Sequence, residues 1–427
     1  APAARPARRA RAATTAALAL LLLLLAFGYL LQPRQATGLL LGRLGGALGL
    51  DITAGGANDY RLRGTPTLVL RDLVVREPGA STPLLRASRL YIALPWSTIR
   101  ARGAVLDATR LELDAPVLDL PALQHWLATR PPTKEKRLPI LESGLHVRDG
   151  SLLGAGWRID DVAIDAPRLL PARPLQARLQ GRLRAEPLSM PMDLALAIVH
   201  PDALLHARTT GFALVGSATV EHARDWHLPA RLTLSGPLRI DGALAAMPAR
   251  IGIAGTYTDG ATRVPFALGL HGPLRITQGV ALAPAEVVLH GVHGGAADSV
   301  PTLQGHAAIA WTNHLVLRLQ GRIAEWPAAW PSLPSPLGRS SSPLPVALDY
   351  VGTPDFSQAA HLRLARDATR FDARFRLPAV VQWIGARPGA PLPPLDGTLS
   401  TPRLVVAGAQ LEGVDATFDD EATPDDH

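Results

Sequence analysis

The sequence predicts a mainly β protein, in which an N-terminal single transmembrane helix is followed by an extended, curved, mostly antiparallel β-sheet that forms an open groove, with a few short helices. Three observations lead to this fold class. An uncharged apolar stretch near the N-terminus has the length of a membrane span. From Thr67 onward apolar residues alternate along the chain, which is the side-chain period of a strand with one buried face. Aromatic residues make up only 5% of the chain, which favours a groove over a plugged core.

The predicted membrane span is residues 12–31, which carry no charged side chain. A helix rises about 1.5 Å per residue, so this stretch would reach about 30 Å, the thickness of the hydrocarbon core of a bilayer. We therefore expect it to cross a membrane once. Its centre is an unbroken leucine run that includes Leu21, Leu22, Leu23, Leu24 and Leu25.

The flank before the span sets its expected orientation. Arg5, Arg8, Arg9 and Arg11 form a positive cluster that resists translocation, so we expect the N-terminus in the cytoplasm and the bulk of the chain outside it. A cleaved signal peptide is the alternative. Because residues 29–35 offer no small-x-small cleavage site, the pattern favours an uncleaved anchor.

Composition narrows the function classes. The formal net charge is +7, but four arginines precede the span and the only lysines are Lys134 and Lys136. A nucleic-acid interface gathers its cations into one patch and interleaves aromatic residues, whereas here both are scattered, so we expect no nucleic-acid partner. The chain has no cysteine, which excludes disulfides, thiol nucleophiles and thiolate metal sites.

The first elements after the span are helical and then extended. Residues 35–50 predict a short amphipathic helix near the membrane exit, because four leucines fall on one side of it: Leu40, Leu41, Leu44 and Leu48. Residues 119–127 predict a second short helix, with Pro121 in its first turn. Between them lies a predicted meander of antiparallel strands with alternating apolar pairs: Leu68 and Leu70, Leu90 and Ile92, and Leu111 and Leu113.

Strands continue through the rest of the chain. Short echoes, 179–183 with 319–323 and 236–240 with 272–276, suggest that one strand-and-turn unit is reused along an extended sheet. The predicted strands are 176–185, 193–199, 230–235, 249–256, 264–270, 286–289, 303–311, 315–323, 344–351, 361–365, 370–377, 397–401 and 403–407.

Composition shifts divide the chain into regions. Two proline-rich stretches separate runs of alternating strands, and the C-terminal end is acidic. The predicted regions are a cytoplasmic tail (1–11), the transmembrane helix (12–31), an N-terminal β module (32–130), a linker (131–137), an extended β-sheet region (138–330), a Pro/Ser-rich linker (331–343), a C-terminal β region (344–414) and an acidic tail (415–427).

Motifs that carry chemistry are weak in this sequence. His290 and His293 are three apart, but residues at that spacing on a strand point to opposite faces, so we expect no metal site. Asp160 and Asp161 diverge on a strand in the same way. No nucleophile elbow, phosphate-binding loop or dinucleotide fingerprint occurs in a strand-turn-helix setting. We therefore expect neither an enzyme nor a cofactor.

The remaining candidate for a functional site is a set of aliphatic side chains distributed along one apolar face of the sheet. Acyl chains need no specific contacts, since burial contributes about 0.8 kcal/mol per methylene. A closed sandwich core requires the same alternation and stays open as an alternative. The candidate residues of a lipid groove are Leu232, Leu234, Leu315, Leu317, Phe371 and Phe375.

Three stretches together resemble the AsmA-like family of envelope proteins: the span followed by residues 48–52 and 67–79, the strands within 85–116, and the paired-strand pattern of 395–413. The resemblance implies a periplasmic, largely β protein anchored in the bacterial inner membrane, with an apolar groove linked to phospholipid transport between membranes or to outer-membrane assembly. Some relatives serve as the N component of type II secretion. That implies the alternative expectation, a structural component of a secretion or envelope-assembly machine that binds proteins and takes up no lipid.

Overall fold

The computed structural model describes residues 41–42, 45–46, 49–56, 59–61, 63–100, 107–129, 138–222, 226–241, 244–260, 262–277, 279–292, 300–327, 342–385, 394–406 and 409–419. The predicted membrane span lies outside these residues, as do both predicted linkers for most of their length. Of the helices within the described residues, none has the length and apolar character needed to cross a bilayer.

The described chain forms one mixed sheet of 22 strands with a few short helices, which confirms the mainly β class. Its first half contains β1 (Asp51–Ala54), β2 (Asp59–Arg61), β3 (Thr67–Arg76), β4 (Leu85–Ala93), β5 (Arg110–Asp114), β6 (Val117–Asp119), β7 (Leu145–Leu153), β8 (Arg158–Ala166), β9 (Leu175–Ala185), β10 (Leu188–Ile198) and β11 (Thr210–His222). Its second half contains β12 (Trp226–Asp241), β13 (Leu244–Asp259), β14 (Thr262–Ile276), β15 (Val280–Gly291), β16 (Thr302–Trp311), β17 (Leu315–Glu325), β18 (Leu344–Gly352), β19 (Ala359–Arg366), β20 (Thr369–Arg376), β21 (Asp396–Val406) and β22 (Ala409–Phe418).

The strands pair almost entirely in chain order. Both β1 and β2 lie against β3, and from β7 to β22 each strand is antiparallel to the next. The expected antiparallel meander is interrupted once, where β5 and β6 both pair with β7 in parallel. Parallel neighbours need a crossover connection, and the helix that follows β6 lies in it.

Residues 41–42 and 45–46 are helical, and within the rest of the described chain four short helices accompany the sheet: α1 (Trp96–Arg100), α2 (Leu120–Thr129), α3 (Pro201–Leu205) and α4 (Leu377–Gly385). The prediction of α2 is confirmed, and its first turn is capped because the Asp119 carboxylate accepts a 2.8 Å hydrogen bond from the Ala122 amide. The other three helices, α1, α3 and α4, were not predicted. Leu377, which we expected to end a strand, begins α4 and is exposed.

Two other boundaries differ from expectation. The strands predicted at 397–401 and 403–407 are one strand, β21. The acidic tail predicted from residue 415 begins later, because Asp415 to Phe418 pair with Ser400 to Gly397 as the end of β22. The ring of Phe418 lies 6.5 Å from that of Phe371, so an apolar contact outweighs the acidic composition of this segment.

A line of left-handed residues crosses β3 to β8. The pairing registers place these residues at neighbouring levels of the ladder. Each of them shifts the alternation of inward and outward side chains by one residue. Leu70 and Leu73, which are three residues apart in β3, are therefore both buried. We call this line the crease, and its members with positive φ are Asp72 (50°), Ala115 (46°), Asp149 (52°) and Asp161 (54°).

The sequence echo at 236–240 and 272–276 marks two equivalent places in the sheet. Each begins with a glycine that the next strand approaches closely. A Cβ on Gly236 would lie 2.3 Å from the Pro248 carbonyl oxygen, and one on Gly272 would lie 2.4 Å from that of Pro284. The repeated sequence therefore encodes a repeated backbone approach, at the end of β12 and again at the end of β14.

Among the described residues, apolar side chains gather in two clusters along the sheet. The smaller cluster joins the first strands to α2 through Leu123 and Trp126. The larger cluster runs from β12 to β19, with Leu204 of α3 packed against it. Its buried members are Leu238, Met247, Ala249, Leu270, Leu274, Leu282, Ala285, Val287, Leu303, Ala307, Ile323, Leu344, Val346 and Leu364.

The crease makes a testable prediction at Ala115, the one crease member with positive φ that is not an aspartate. A Cβ in the left-handed region costs roughly 1 kcal/mol, so Ala115→Gly should raise the free energy of unfolding by up to about 1 kcal/mol. The matched control is Ala213→Gly, at an exposed position in β11 outside the positive-φ set. There glycine should lower stability by about 0.5–1 kcal/mol. Denaturant unfolding of both variants checks the opposite signs, and equal destabilisation would contradict the strain at Ala115.

Candidate functional site

The registers of the strands align one apolar residue from each of fifteen strands, from β3 to β18. Fourteen of these residues are aliphatic and one is glycine. Strands lie about 4.8 Å apart, so this first apolar row is about 65 Å long. Its members are Leu70, Leu90, Leu113, Val147, Ile164, Leu179, Leu194, Gly216, Leu232, Ile253, Leu268, Leu289, Leu303, Ile323 and Leu344.

A second apolar row runs beside the first on the same face. At its middle Gly305 faces Gly321, and a Cβ on Gly305 would lie 2.2 Å from the Gln320 carbonyl oxygen, so the backbones approach closely there. The second row therefore continues through a pair of glycines, where the backbones of β16 and β17 lie close together. Its members are Ala177, Leu196, Leu214, Leu234, Ile251, Leu270, Val287, Gly305, Gly321, Val346, Leu364, Phe371, Leu399 and Ala416.

The structure places the six candidate groove residues on this one apolar face. Leu232 belongs to the first row, and Leu234 and Phe371 belong to the second. The other three face apolar partners across the ladder: Leu315 faces Trp311, Leu317 faces Ile309 and Tyr350, and Phe375 faces Ala360. Leu234, Leu317 and Phe371 also pack against the larger cluster.

The apolar face is half-buried along much of its length. In β12 the inward residues alternate strictly with exposed outward ones, and only Leu238 among the inward residues is fully buried. The outward neighbours are polar residues, prolines and arginines such as Thr233 and Arg231. Apolar side chains at the centre of a domain core are usually buried on every side. The inward side chains of β12 instead keep part of their surface accessible.

Arginines on the opposite, outward face are matched by acids across the strands. Two hydrogen bonds join the Arg178 guanidinium of β9 to the Asp193 carboxylate of β10: Nε donates to one oxygen at 2.8 Å, and Nη2 donates to the other. Gln180 donates to the same carboxylate at 2.9 Å. These hydrogen bonds, that of Arg178 first, lower the pKa of Asp193 to about 2. Asp160 lies 2.8 Å from Arg184 and 3.1 Å from Arg158 in the same manner.

One polar cluster stands at the edge of the apolar face, in the β18–β19 loop (residues 353–358). The Asp355 carboxylate is almost fully buried and accepts hydrogen bonds from the Ser357 amide at 3.1 Å and the Ser357 hydroxyl at 2.9 Å, as well as from the Thr353 hydroxyl. The hydroxyl of buried Tyr350 lies 2.6 Å from the Thr353 carbonyl oxygen. Hydrogen bonds within the loop and to Tyr350 therefore satisfy many of its polar groups.

The same loop meets the β11–β12 hairpin. Nε2 of His222 lies 3.7 Å from the second oxygen of Asp355, and the His222 ring stacks on Trp226, with ring centroids 5.6 Å apart. Burial acts to raise the pKa of Asp355, but the hydrogen bonds from Thr353 and Ser357, with the nearby imidazole of His222, hold it below its usual value.

The contacts of the histidine side chains could not be predicted from local sequence patterns. For His222, as for His125 and His227, the absence of a companion motif predicts a surface or helix-end residue. The structure places His222 at the end of β11, with its side chain 22% exposed and 3.7 Å from Asp355. Its partner lies more than a hundred residues away, and no local signal in the sequence links the two. His290 bonds the Gly291 carbonyl oxygen at 3.0 Å, and His293 lies outside the described residues.

Across the residues that the structure describes, no three histidine, aspartate or glutamate side chains come together in a way that could hold a metal ion. Comparisons of the chain with protein-family models, with curated proteins and with solved structures found no match.

The outward ion pairs predict a measurable titration. Replacing Arg178 by Gln should raise the pKa of Asp193 from about 2 towards its ordinary value of 3.8, because the strongest hydrogen bond to the carboxylate is lost. A depressed carboxylate pKa stabilises the fold above the ordinary value and loses that contribution as the pH falls towards 2, so the variant should be less sensitive to acid. Carboxyl-carbon NMR titration measures the shift. Arg231→Gln, an outward arginine that faces Ser217 and Ala254, is the control and should leave Asp193 unchanged.

Proposed function

We propose that this chain binds and carries phospholipid along an open groove formed by the apolar face of its sheet. In this proposal residues 12–31 anchor the chain in the bacterial inner membrane, and the sheet stands in the periplasm. The observation that carries the proposal is the first apolar row, in which no charged or polar side chain interrupts the path from Leu70 to Leu344.

The chemistry of the row suits an acyl chain. Hydrocarbon is held by the area removed from water, at about 0.8 kcal/mol per methylene, and every aliphatic position in a row offers an equivalent contact. A ligand bound in this way can move from one position to the next without losing a specific hydrogen bond. At about 65 Å the row is also longer than the hydrocarbon core of one bilayer, about 30 Å.

Two further observations support a groove over a closed sandwich. The inward side chains of β12 are half-buried, and this leaves room for a ligand against them. The chain also has few large aromatic residues that would fill such a space. The resemblance of residues 48–52, 67–79, 85–116 and 395–413 to the AsmA-like family points to the same function.

Photo-crosslinking tests the proposal directly. A photoreactive residue at Leu232, on the apolar face, should give phospholipid adducts when the full chain is irradiated in bacterial membranes and analysed by mass spectrometry. The matched control is a probe at Thr233, the next residue in the same strand, which points outward and is exposed. Absence of lipid adducts from probes at all six candidate positions, in protein that is folded and present at normal levels, would refute lipid binding.

A charge on the apolar face should separate folding from lipid passage. Leu317→Glu should leave the chain folded, because a half-buried carboxylate can reach water, while it abolishes the lipid adduct from the Leu232 probe. Gln320→Glu adds the same charge on the outward face of the same strand and should change neither property. The readouts are the melting temperature and the adduct yield. Unfolding of Leu317→Glu, with a loss of several kcal/mol, is the result that a closed core predicts.

A structural role in a secretion or envelope-assembly machine is the second candidate. It is favoured by the last strand, β22, which pairs with β21 on one side and has no ladder partner on the other within the described chain. Such an edge presents backbone groups to which a strand of another protein can pair. Native mass spectrometry discriminates the two functions, since co-purified phospholipid supports the groove and a lipid-free chain that brings down an envelope complex supports the scaffold.

A further inference from the structure

Two contacts join the opposite long edges of the sheet. One edge carries α2 and the β11–β12 hairpin, and the other carries the β14–β15 turn and the β18–β19 loop. Gln124 of α2 donates a 3.2 Å hydrogen bond to the Thr277 carbonyl oxygen, and His222 meets Asp355 at 3.7 Å. In the ladder β7, which follows α2, is seven pairings from β14, and β11 is seven pairings from β18.

The shared spacing has a physical cause. Neighbouring strands are rotated by roughly 20–25° with respect to each other, so seven pairings turn the strand direction by about 140–175°. Seven strand spacings of about 4.8 Å also separate the strands by about 34 Å along a straight ladder, so the sheet has to bend as well as twist for the two edge contacts to form. Both contacts therefore join opposite edges of a twisted and bent sheet at the same interval of seven pairings.

The contact at Asp355 is made by a preformed loop. Ser357 and Thr353 bond the Asp355 carboxylate from within the loop, and the ring of Phe356 packs 4.9 Å from that of Tyr350. These contacts all lie within residues 350–357, and none of them involves His222. Releasing the loop from the hairpin therefore leaves its buried carboxylate with hydrogen-bond partners, so separation lacks the large penalty of an unsatisfied buried charge.

We propose that the β18–β19 loop is a releasable strap across the groove, which closes the apolar face between β11 and β18 and must open for phospholipid to move through. This inference rests on the proposed function. The apolar rows pass between these two strands, so an acyl chain in the groove lies beneath the contact of His222 with Asp355. A headgroup that travels with that acyl chain has to displace the strap.

Because the chain has no cysteine, the strap can be locked specifically. The full-length double variant His222→Cys, Asp355→Cys is joined by a short bis-methanethiosulfonate reagent that a reducing agent cleaves. Transfer of a fluorescent phosphatidylethanolamine from donor to acceptor vesicles is then followed with the protein reconstituted in the donors. The locked protein should transfer at the rate of protein-free vesicles, and reduction should restore transfer. Val288→Cys, Gln304→Cys joins facing outward positions of β15 and β16 with the same reagent and should transfer normally.

The outcomes separate the strap from the groove. Equal or faster transfer by the locked protein overturns the strap while the groove stands. Absence of transfer by the unlocked and reduced proteins, with the β15–β16 control also inactive, overturns both proposals. Circular dichroism of each form establishes that the variants are folded.

A single substitution gives an independent measurement. Asp355→Asn keeps an oxygen that accepts from Ser357 but removes the charge that faces His222, so lipid transfer should become faster than in the parent chain. Asp349→Asn is the matched control, because Asp349 pairs with Arg363 at 2.7 Å on the outward face. Unchanged transfer by Asp355→Asn, or an equal increase in both variants, would argue against a strap held at Asp355.

Discussion

The structure depends above all on the cross-strand register, because a slip of one residue in a strand would move its whole apolar set to the other face. Two structural features maintain this register. The crease inserts left-handed residues such as Asp149 and Asp161 where the alternation has to be reset. The glycines at 236 and 272 allow the neighbouring backbone to come close where strands end. Both keep aliphatic side chains aligned from one strand to the next.

A long, regular ladder also accumulates a large total twist. A short sheet of a few strands accumulates too little rotation for its edges to meet. In this chain the rotation over seven pairings, together with bending of the sheet, brings α2 to the β14–β15 turn and His222 to Asp355. The polar cluster of residues 353–358 is thereby brought from one edge of the apolar face to the β11–β12 hairpin at the opposite edge.

Much of the sheet could be predicted from local alternation, and little of its long-range contact could. In β20 the alternation of Phe371, Ala373 and Phe375 marks the strand and its inward face correctly. β8 was missed because the crease at Asp161 interrupts its period, and β11 because Gly216 and Ser217 dilute it. The contact of His222 with Asp355 depends on rotation summed over many strands. No local pattern encodes that sum.

The recurrence of edge contacts every seven pairings limits how such a chain can change its length. Adding one hairpin inside the interval between β11 and β18 would turn everything beyond it by roughly 40–50°, and the partners at its two ends would no longer face each other. Adding hairpins after β18 leaves both contacts intact. Insertions and deletions are therefore expected to accumulate at the C-terminal end of the ladder and in turns, while the number of strands between paired edges stays constant.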